Sequence, residues 1–304
     1  MLKKISLMFI FIVAIFLTPN TTHADEDVVL LFAGDTTFGG HYPEIADTQD
    51  AHYSFKNIWK LIEDSDAFMV NCENPITEAV LKILKQFNFK MNPNLTNIFS
   101  LNRITLVNIA NNHICDYGTQ GLLDTIDNLD KFGIEHIGAG KNLEEARQPV
   151  VKIIKGMKIF FLGYGNYSPA GENSPGVAYR NKKDVIEDIK NAKRNGADII
   201  IVNFHWGVER ATEPTKSDVS LAKTAIDNGA DVIIGHHPHV IQPIKAYRGK
   251  PIFYSLGNFI FGGNRKGARN GLLAKITITP NKEIHYEGIK LRVDGDTKYQ
   301  PYEE

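Results

Sequence analysis

Three histidines stand within four positions, His236, His237 and His239, in the run DVIIGHHPH at residues 231–239. The apolar residues 232–234 ahead of them suit a strand buried on both faces of a sheet. Imidazoles delivered at the C-terminal end of such a strand sit where open α/β sheets carry their ligand sites. Positions 237 and 239 leave an extended backbone on the same side, because the side-chain period of a strand is two. Two nitrogens converging on one point suit a divalent transition metal. A surface loop that happens to contain histidines is the plainer alternative. Three histidines straight after a buried strand argue against it.

Other apolar runs end in the same way. Residues 28–33 lead to Gly34-Asp35, and 67–70 lead to Asn71-Cys72-Glu73-Asn74-Pro75. Residues 104–109 run into Ala110-Asn111-Asn112-His113, and 198–202 lead to Phe204-His205-Trp206. Asp35 is either a helix cap or a ligand, and no helical pattern follows at once, which favours the ligand. Turn chemistry explains one asparagine at 111–112 but not a second with a histidine beside it. Asp35, Glu73, Asn112, His205, His237 and His239 form a mixed oxygen and nitrogen set. That set suits one or two divalent ions of Mn, Zn or Fe rather than Ca. Two such ions about 3.5–4 Å apart lower the pKa of bound water and clamp both oxygens of an in-line displacement at phosphorus. Glu73 is the candidate bridge, since one carboxylate can span two cations. His113 is the candidate catalytic residue, placed to protonate a leaving group or to stabilise a charged transition state. His236 and Asp116 are expected to support the ligands from behind.

The elements that must position these groups follow from periodicity. Residues 54–63 have helical spacing, with Phe55, Ile58, Trp59 and Ile62 on one face. Residues 79–100 read as a helix followed by a loop around 91–93. Residues 119–132 form a helix closed by Gly133. The Gly138-Ala139-Gly140 run reads as a tight turn rather than a phosphate loop. Residues 150–154 and 158–162 form a hairpin, and the Gly-, Pro- and Ser-rich stretch 167–180 is a candidate rim or lid. Helices are expected at 185–194 and 217–227. Strand material flanks Gly257 at 252–255 and 258–261, and 272–278 with 284–291 form a closing antiparallel pair. Strands alternating with short helices indicate one α/β domain over residues 25–304.

Composition narrows the partners. Lys and Arg number 34 against 35 acids, a net charge of −1, so no basic excess points to nucleic acid. Lys3 and Lys4 precede the apolar residues 5–17, and Thr22-His23-Ala24 approximates a cleavage site. Residues 1–24 therefore read as a signal peptide or an uncleaved anchor. Either places the folded part outside the cytoplasm, as a secreted, periplasmic or cell-surface protein. The only cysteines, Cys72 and Cys115, read as a disulfide or as two buried thiols.

Taken together and in order, these segments resemble the CapA family of capsule-synthesis proteins. The matching stretches are Gly34-Asp35, residues 71–77, Ala110-Asn111-Asn112-His113 through Asp116-Tyr117-Gly118, His205-Trp206-Gly207, residues 235–239 and residues 254–259. The family is associated with poly-γ-glutamate capsules and has a calcineurin-like metallophosphatase fold. The resemblance implies a four-layer α/β sandwich, two central mixed sheets flanked by helices. It makes Asp35 the first-motif ligand, Glu73 the bridging acid, Asn112 a ligand with His113 the acid next to it, and His205, His237 and His239 the rest of the shell. General metallophosphatases carry a histidine two residues after the first aspartate; here that position is Thr37, and His41 is a candidate substitute. They bridge with aspartate where this chain has Glu73.

Three functions are compatible with these features. The first is an exported capsule or poly-γ-glutamate biosynthesis protein with a metal-dependent phosphoesterase site acting on a phosphoester or an anionic surface polymer. The second, motivated by Thr37, is a non-catalytic polymer-binding or assembly subunit among the subunits of a membrane synthase. The third is a secreted nucleotidase or phosphodiesterase, for which the sequence offers no recognisable aromatic clamp.

Overall fold

The structure is a computed structural model that describes residues 26–40, 42, 50–261, 270–293 and 300–304. The proposed targeting segment and His41 lie outside the described residues.

Two mixed sheets carry the chain. The first is built from β1 (Val28–Thr36), β2 (Ala67–Cys72), β3 (Ile104–Asn108), β4 (Glu135–Ile137), β13 (Asn270–Ile278), β14 (Ile284–Val293) and β15 (Pro301–Glu303). Its order is β15-β14-β13-β1-β2-β3-β4, with β1 to β4 parallel and the last three antiparallel. The second uses β6 (Val150–Ile154), β7 (Met157–Tyr164), β9 (Ile199–His205), β10 (Val232–His236), β11 (Ile244–Tyr247) and β12 (Lys250–Phe253). Its order is β11-β12-β10-β9-β7-β6, with parallel strands β7, β9, β10 and β12 between antiparallel edges. A two-stranded piece joins β5 (Ala139–Gly140) to β8 (Gly176–Val177).

Strand alternation separates three apolar cores. Leu30 and Phe32 of β1 face Phe161, Ile201 and Ile234 of the other sheet, whereas Leu31 and Ala33 face outwards. The outer face of the first sheet is covered by α1 (Gly118–Lys131) through Leu122, Ile126 and Leu129. The outer face of the second is covered by α2 (Lys182–Arg194) and α3 (Lys216–Asn228) through Val185, Ile189, Leu221 and Ala225. Helix, sheet, sheet and helix therefore make the four layers expected from the resemblance. The cap residues explain where the helices start. Asn181 accepts from the Asp184 N–H at 2.9 Å, and Thr215 forms a capping box with Asp218. Gly229, at φ 117°, ends α3.

Two expectations need correction. Residues 79–90 form no helix; the first regular turns there are Pro93–Leu95 and Asn97–Leu101. Their apolar residues alternate at helical spacing but have no sheet face to cover, so propensity is not backed by burial. Residues 258–261 form no strand; Asn258 alone among them makes an isolated bridge, with Asp35. Edge strands β11 and β15 went unrecognised, since short edge strands carry little apolar pattern. Cys72 and Cys115 are free thiols, and burial pushes the Cys72 thiol up to about 12.

The two sheets close most tightly at the rim where the parallel strands end. A Cβ on Gly34 would lie 2.0 Å from the Gly257 carbonyl oxygen, and one on Gly235 would lie 2.0 Å from that of Tyr254. Both contacts are with backbone, which cannot swing away. Gly34→Ala should cost about 3 kcal/mol or more, beyond ordinary overpacking, and lower the melting temperature measured by calorimetry; an unchanged melting temperature would show that this rim is loosely packed.

Candidate metal centre

The rim where β1, β2, β9 and β10 end gathers most of the sequence-selected residues. Register sets their level: Asp35 pairs with Asn71, Asn71 with Asn108, and His205 with His236. Asp35 lies inside β1 rather than past its end, after a register shift between Phe32 and Asp35. Its N–H donates to the Gly257 carbonyl and its own carbonyl accepts from the Phe259 N–H, both at 2.9 Å. Glu73 is fixed by its N–H donating to the Thr36 carbonyl at 2.8 Å. Both carboxylates are fully buried.

Among the described residues, three groups of donors converge. Asp35, Glu73 and His239 form one, Glu73, His205 and His237 another, and Glu209, His237 and His239 a third. Within each group one ligand atom per residue lies within 4.8 Å of the others. His239 Nδ1 is 3.0 Å from Asp35 Oδ2, His239 Nε2 is 3.5 Å from Glu73 Oε1, and His205 Nε2 is 3.8 Å from Glu73 Oε1. Asn112 Oδ1 lies 2.9 Å from His205 Nε2, so the asparagine carbonyl joins the second group. Donors sharing one cation at about 2.0–2.2 Å stand roughly 3–4 Å apart, which matches these separations. Glu73 Oε1 and His237 Nδ1 are buried and find no hydrogen-bond partner among the described residues. Orphaned donors at this depth fit a cation between them.

The pair His237 and His239 converges for a reason other than strand periodicity. Strand β10 stops at His236, and His237 and His239 take left-handed φ values of 99° and 58°. A turn, not an extended backbone, brings their ring centroids to 6.0 Å. Strained non-glycine backbone of this kind is characteristic of functional sites. His236 Nδ1 is 3.7 Å from Asp35 Oδ1 and finds no hydrogen-bond partner among the described residues, so His236 stands behind Asp35. Thr37 is buried, and its hydroxyl accepts from the Gly39 N–H at 3.2 Å.

His113 belongs to a second cluster on the same rim. Its Nδ1 donates to Asp116 Oδ2 at 2.6 Å, which leaves Nε2 without the proton in the neutral ring. The Lys85 ammonium contacts Asp116 Oδ1 at 2.8 Å, the Asn112 carbonyl at 2.8 Å and His113 Nδ1 at 3.1 Å. Asn111 is the turn residue of the pair, its side chain bonding the Cys72 carbonyl and the His113 N–H.

Burial dominates the protonation states. It raises the Glu73 carboxyl well above its ordinary value, helped by the negative charge of Asp35. Burial would raise Asp35 too, but the hydrogen bond and charge of His239, with His236 and His205, hold it well below the carboxylate range. Burial lowers His205 strongly, and lowers His236 and His237 to about 4, so these imidazoles are neutral at pH 7. Burial works against the His239 imidazolium, yet the Asp35 bond and charge raise it. For His113, burial outweighs Asp116 and the pKa falls.

Several residues escaped the sequence reading. Asn71 donates through Nδ2 to Asp35 Oδ1 at 2.8 Å and lies 3.2 Å from Glu73 Oε2, holding both acids. Its place two residues before Glu73 at a strand end was the available signal. Asn258 bonds His239 Nδ1 at 2.9 Å, and Glu209 reaches the histidine pair from a loop with no apolar pattern. Aromatic rings also line the rim: Phe89 packs 4.3 Å from His113, Phe261 4.7 Å from His239 and Tyr167 6.0 Å from His237. They come from three separate loops, which no local pattern reveals.

Comparison with known proteins follows the same segments. The family described as bacterial capsule synthesis protein PGA_cap matches residues 29–263. PGA biosynthesis protein CapA of Bacillus subtilis is 33% identical over 89% of this chain and 73% of its own. Capsule biosynthesis protein CapA of Bacillus anthracis is 30% identical over 92% of this chain and 71% of its own. A probable polyglutamine synthesis accessory protein of Mycobacterium tuberculosis is 30% identical over 71% of this chain and 62% of its own. Among solved structures, a 5'-nucleotidase from Candida albicans aligns over 86% of this chain and 51% of its own, at 12% identity and a TM-score of 0.46, too distant to bear on activity. The match across nearly all of the rim-forming segments places this chain in the bacterial capsule-synthesis PGA_cap family.

Proposed function

We propose that this chain is an extracytoplasmic protein of capsule or poly-γ-glutamate biosynthesis or export, whose rim site holds one or two divalent cations and hydrolyses a phosphoester. The observation that carries the reading is the sharing of the buried Glu73 between two donor groups. Asp35, Glu73 and His239 would hold one cation; Glu73, His205, His237 and Asn112 would hold the other. Mn, Zn and Fe all suit this mixed donor set. Cations bound there lower the pKa of water and neutralise charge developing on a phosphoryl group.

The protein's own groups do the rest. Neutral His205 and His237 need lose no proton before they donate. Asn71 and the His237 N–H orient Asp35, the latter at 3.3 Å. Asp116 fixes the tautomer of His113, so that Nε2 exchanges a proton with a reacting oxygen, and Lys85 adds a positive charge beside it. The names of the relatives support the capsule or polyglutamate context, and the apolar N-terminal run supports export. One observation favours the non-catalytic alternative: the Thr37 hydroxyl is engaged with Gly39 and brings no imidazole to the Asp35 side. The assembly-subunit reading therefore stays as the second.

Two outcomes follow. Glu73 and His239, both shifted upwards in the cation-free chain, carry protons that an incoming cation expels. Mn2+ affinity should therefore rise with pH, with protons released in calorimetric titrations run in buffers of different ionisation enthalpy. Glu73→Gln should weaken binding at least ~10-fold. Binding independent of pH and of Glu73 would remove the centre. Hydrolysis of an aryl phosphodiester should fall by about 10²–10⁴-fold in His113→Ala at unchanged metal content. A fully loaded wild type without turnover on aryl phosphomonoesters and diesters would favour the assembly-subunit reading instead.

A further inference from the structure

The segment at residues 79–90, Ala-Val-Leu-Lys-Ile-Leu-Lys-Gln-Phe-Asn-Phe-Lys, is anchored on its inner side and apolar on its outer side. Its inner side wraps the buried Asp116. The Ile83 N–H donates to the Asp116 carbonyl at 2.9 Å, the Phe89 N–H to Asp116 Oδ2 at 2.7 Å, and Lys85 to Asp116 Oδ1 at 2.8 Å. The outer side presents Val80 and Leu81, 80% and 85% exposed, with Leu84 fully exposed and Ile83 half so. Four large apolar residues thus stand exposed within five positions, while most other such residues on the described surface are scattered singly. Scattered apolar residues are ordinary; a cluster marks an interaction surface.

We propose that this loop inserts its tips into the surface of an anionic lipid bilayer and turns the His113 side of the rim towards it. Three features select a bilayer. Charge is the first: residues 79–90 contain no carboxylate, and of their three lysines Lys85 is paired inwards with Asp116 and Lys90 bonds the Ala79 carbonyl, which leaves Lys82 as the outward charge. Lys82 is exposed beside the leucines, placed to meet lipid headgroups as they enter. Shape is the second: side chains this exposed project outwards, whereas a groove for a partner helix would enclose them. The third is the backbone, which forms no helix or strand here. Such a backbone stays at headgroup depth, where water satisfies it, while only the side-chain tips pass into the acyl boundary. The hydrogen bonds to Asp116 make the loop a rigid mount, so docking fixes the orientation of the whole rim.

The test uses the full chain, and its readout sits in the loop itself so that any contribution from residues 1–25 is kept apart. Leu84→Trp is mixed with phosphatidylglycerol–phosphatidylcholine vesicles carrying brominated acyl chains. Its added fluorescence should shift to the blue and be quenched. Quenching should weaken at least tenfold in apparent affinity when Lys82→Glu is added, and on phosphatidylcholine alone. In otherwise unaltered protein, Leu81→Ser with Leu84→Ser should keep the melting temperature and the metal content while an environment-sensitive label at Val80→Cys loses its vesicle response. A tryptophan at 84 that stays unquenched on vesicles that sediment the protein would overturn the proposal, as would quenching equal on neutral and anionic lipid. Protection of the loop by a protein partner, with no lipid response, would overturn it as well. None of these readouts depends on phosphoester hydrolysis, so this inference and the proposed activity fail separately.

Discussion

Two carboxylates, Asp35 and Glu73, are buried together with no exposed surface, and the rest of the rim is arranged around that burial. Removing one such charge from water costs several kcal/mol even after relaxation. Hydrogen bonds meet part of the cost: Asn71 donates to both acids, and His239 bonds Asp35 through Nδ1. Glu73 meets the rest by keeping its proton to a pH well above the ordinary carboxyl range. Three of the imidazoles nearby are driven neutral by their own burial, and one Glu73 oxygen finds no hydrogen-bond partner among the described residues. A cation there would answer both deficits at once, replacing the Glu73 proton beside the acids and offering a Lewis acid to the unprotonated nitrogens.

The sandwich serves this by delivering side chains from both sheets to one edge. Asp35 and Glu73 come from the first sheet and the loop after β2, His205 from β9, and His237 and His239 from the turn after β10. Glycines at 34 and 235 let the backbone after β12 lie against β1 and β10 without a Cβ between them. That contact carries Asn258 to His239 and ties Asp35 to residues 257–259. Packing and chemistry are therefore the same problem here: a looser rim would separate the donors by more than a cation's reach.

Much of the fold was legible in the sequence, for a physical reason. Parallel strands buried on both faces read as uninterrupted apolar runs, so β1, β2, β3, β9 and β10 were visible with the residues at their ends. Helices with one covered face showed the 3.6-residue spacing, as Leu122, Ile126 and Leu129 did. The segment 79–90 failed because its apolar spacing imitates a helix while its side chains face solvent. The convergence of His237 and His239 was foreseen for the wrong cause, since a left-handed turn leaves no mark in residue periodicity. Asn71, Lys85, Glu209 and the three rim aromatics depend on distant loops meeting, which only three-dimensional packing decides.

The most direct measurement is anomalous X-ray scattering from crystals of this protein equilibrated with Mn2+ near neutral pH. The account predicts density at the Mn edge against Glu73, between it and the His205–His237 pair, and a second, weaker peak between Glu73, Asp35 and His239. No anomalous peak within reach of Glu73 at saturating Mn2+, with the acids and imidazoles well ordered, would contradict it.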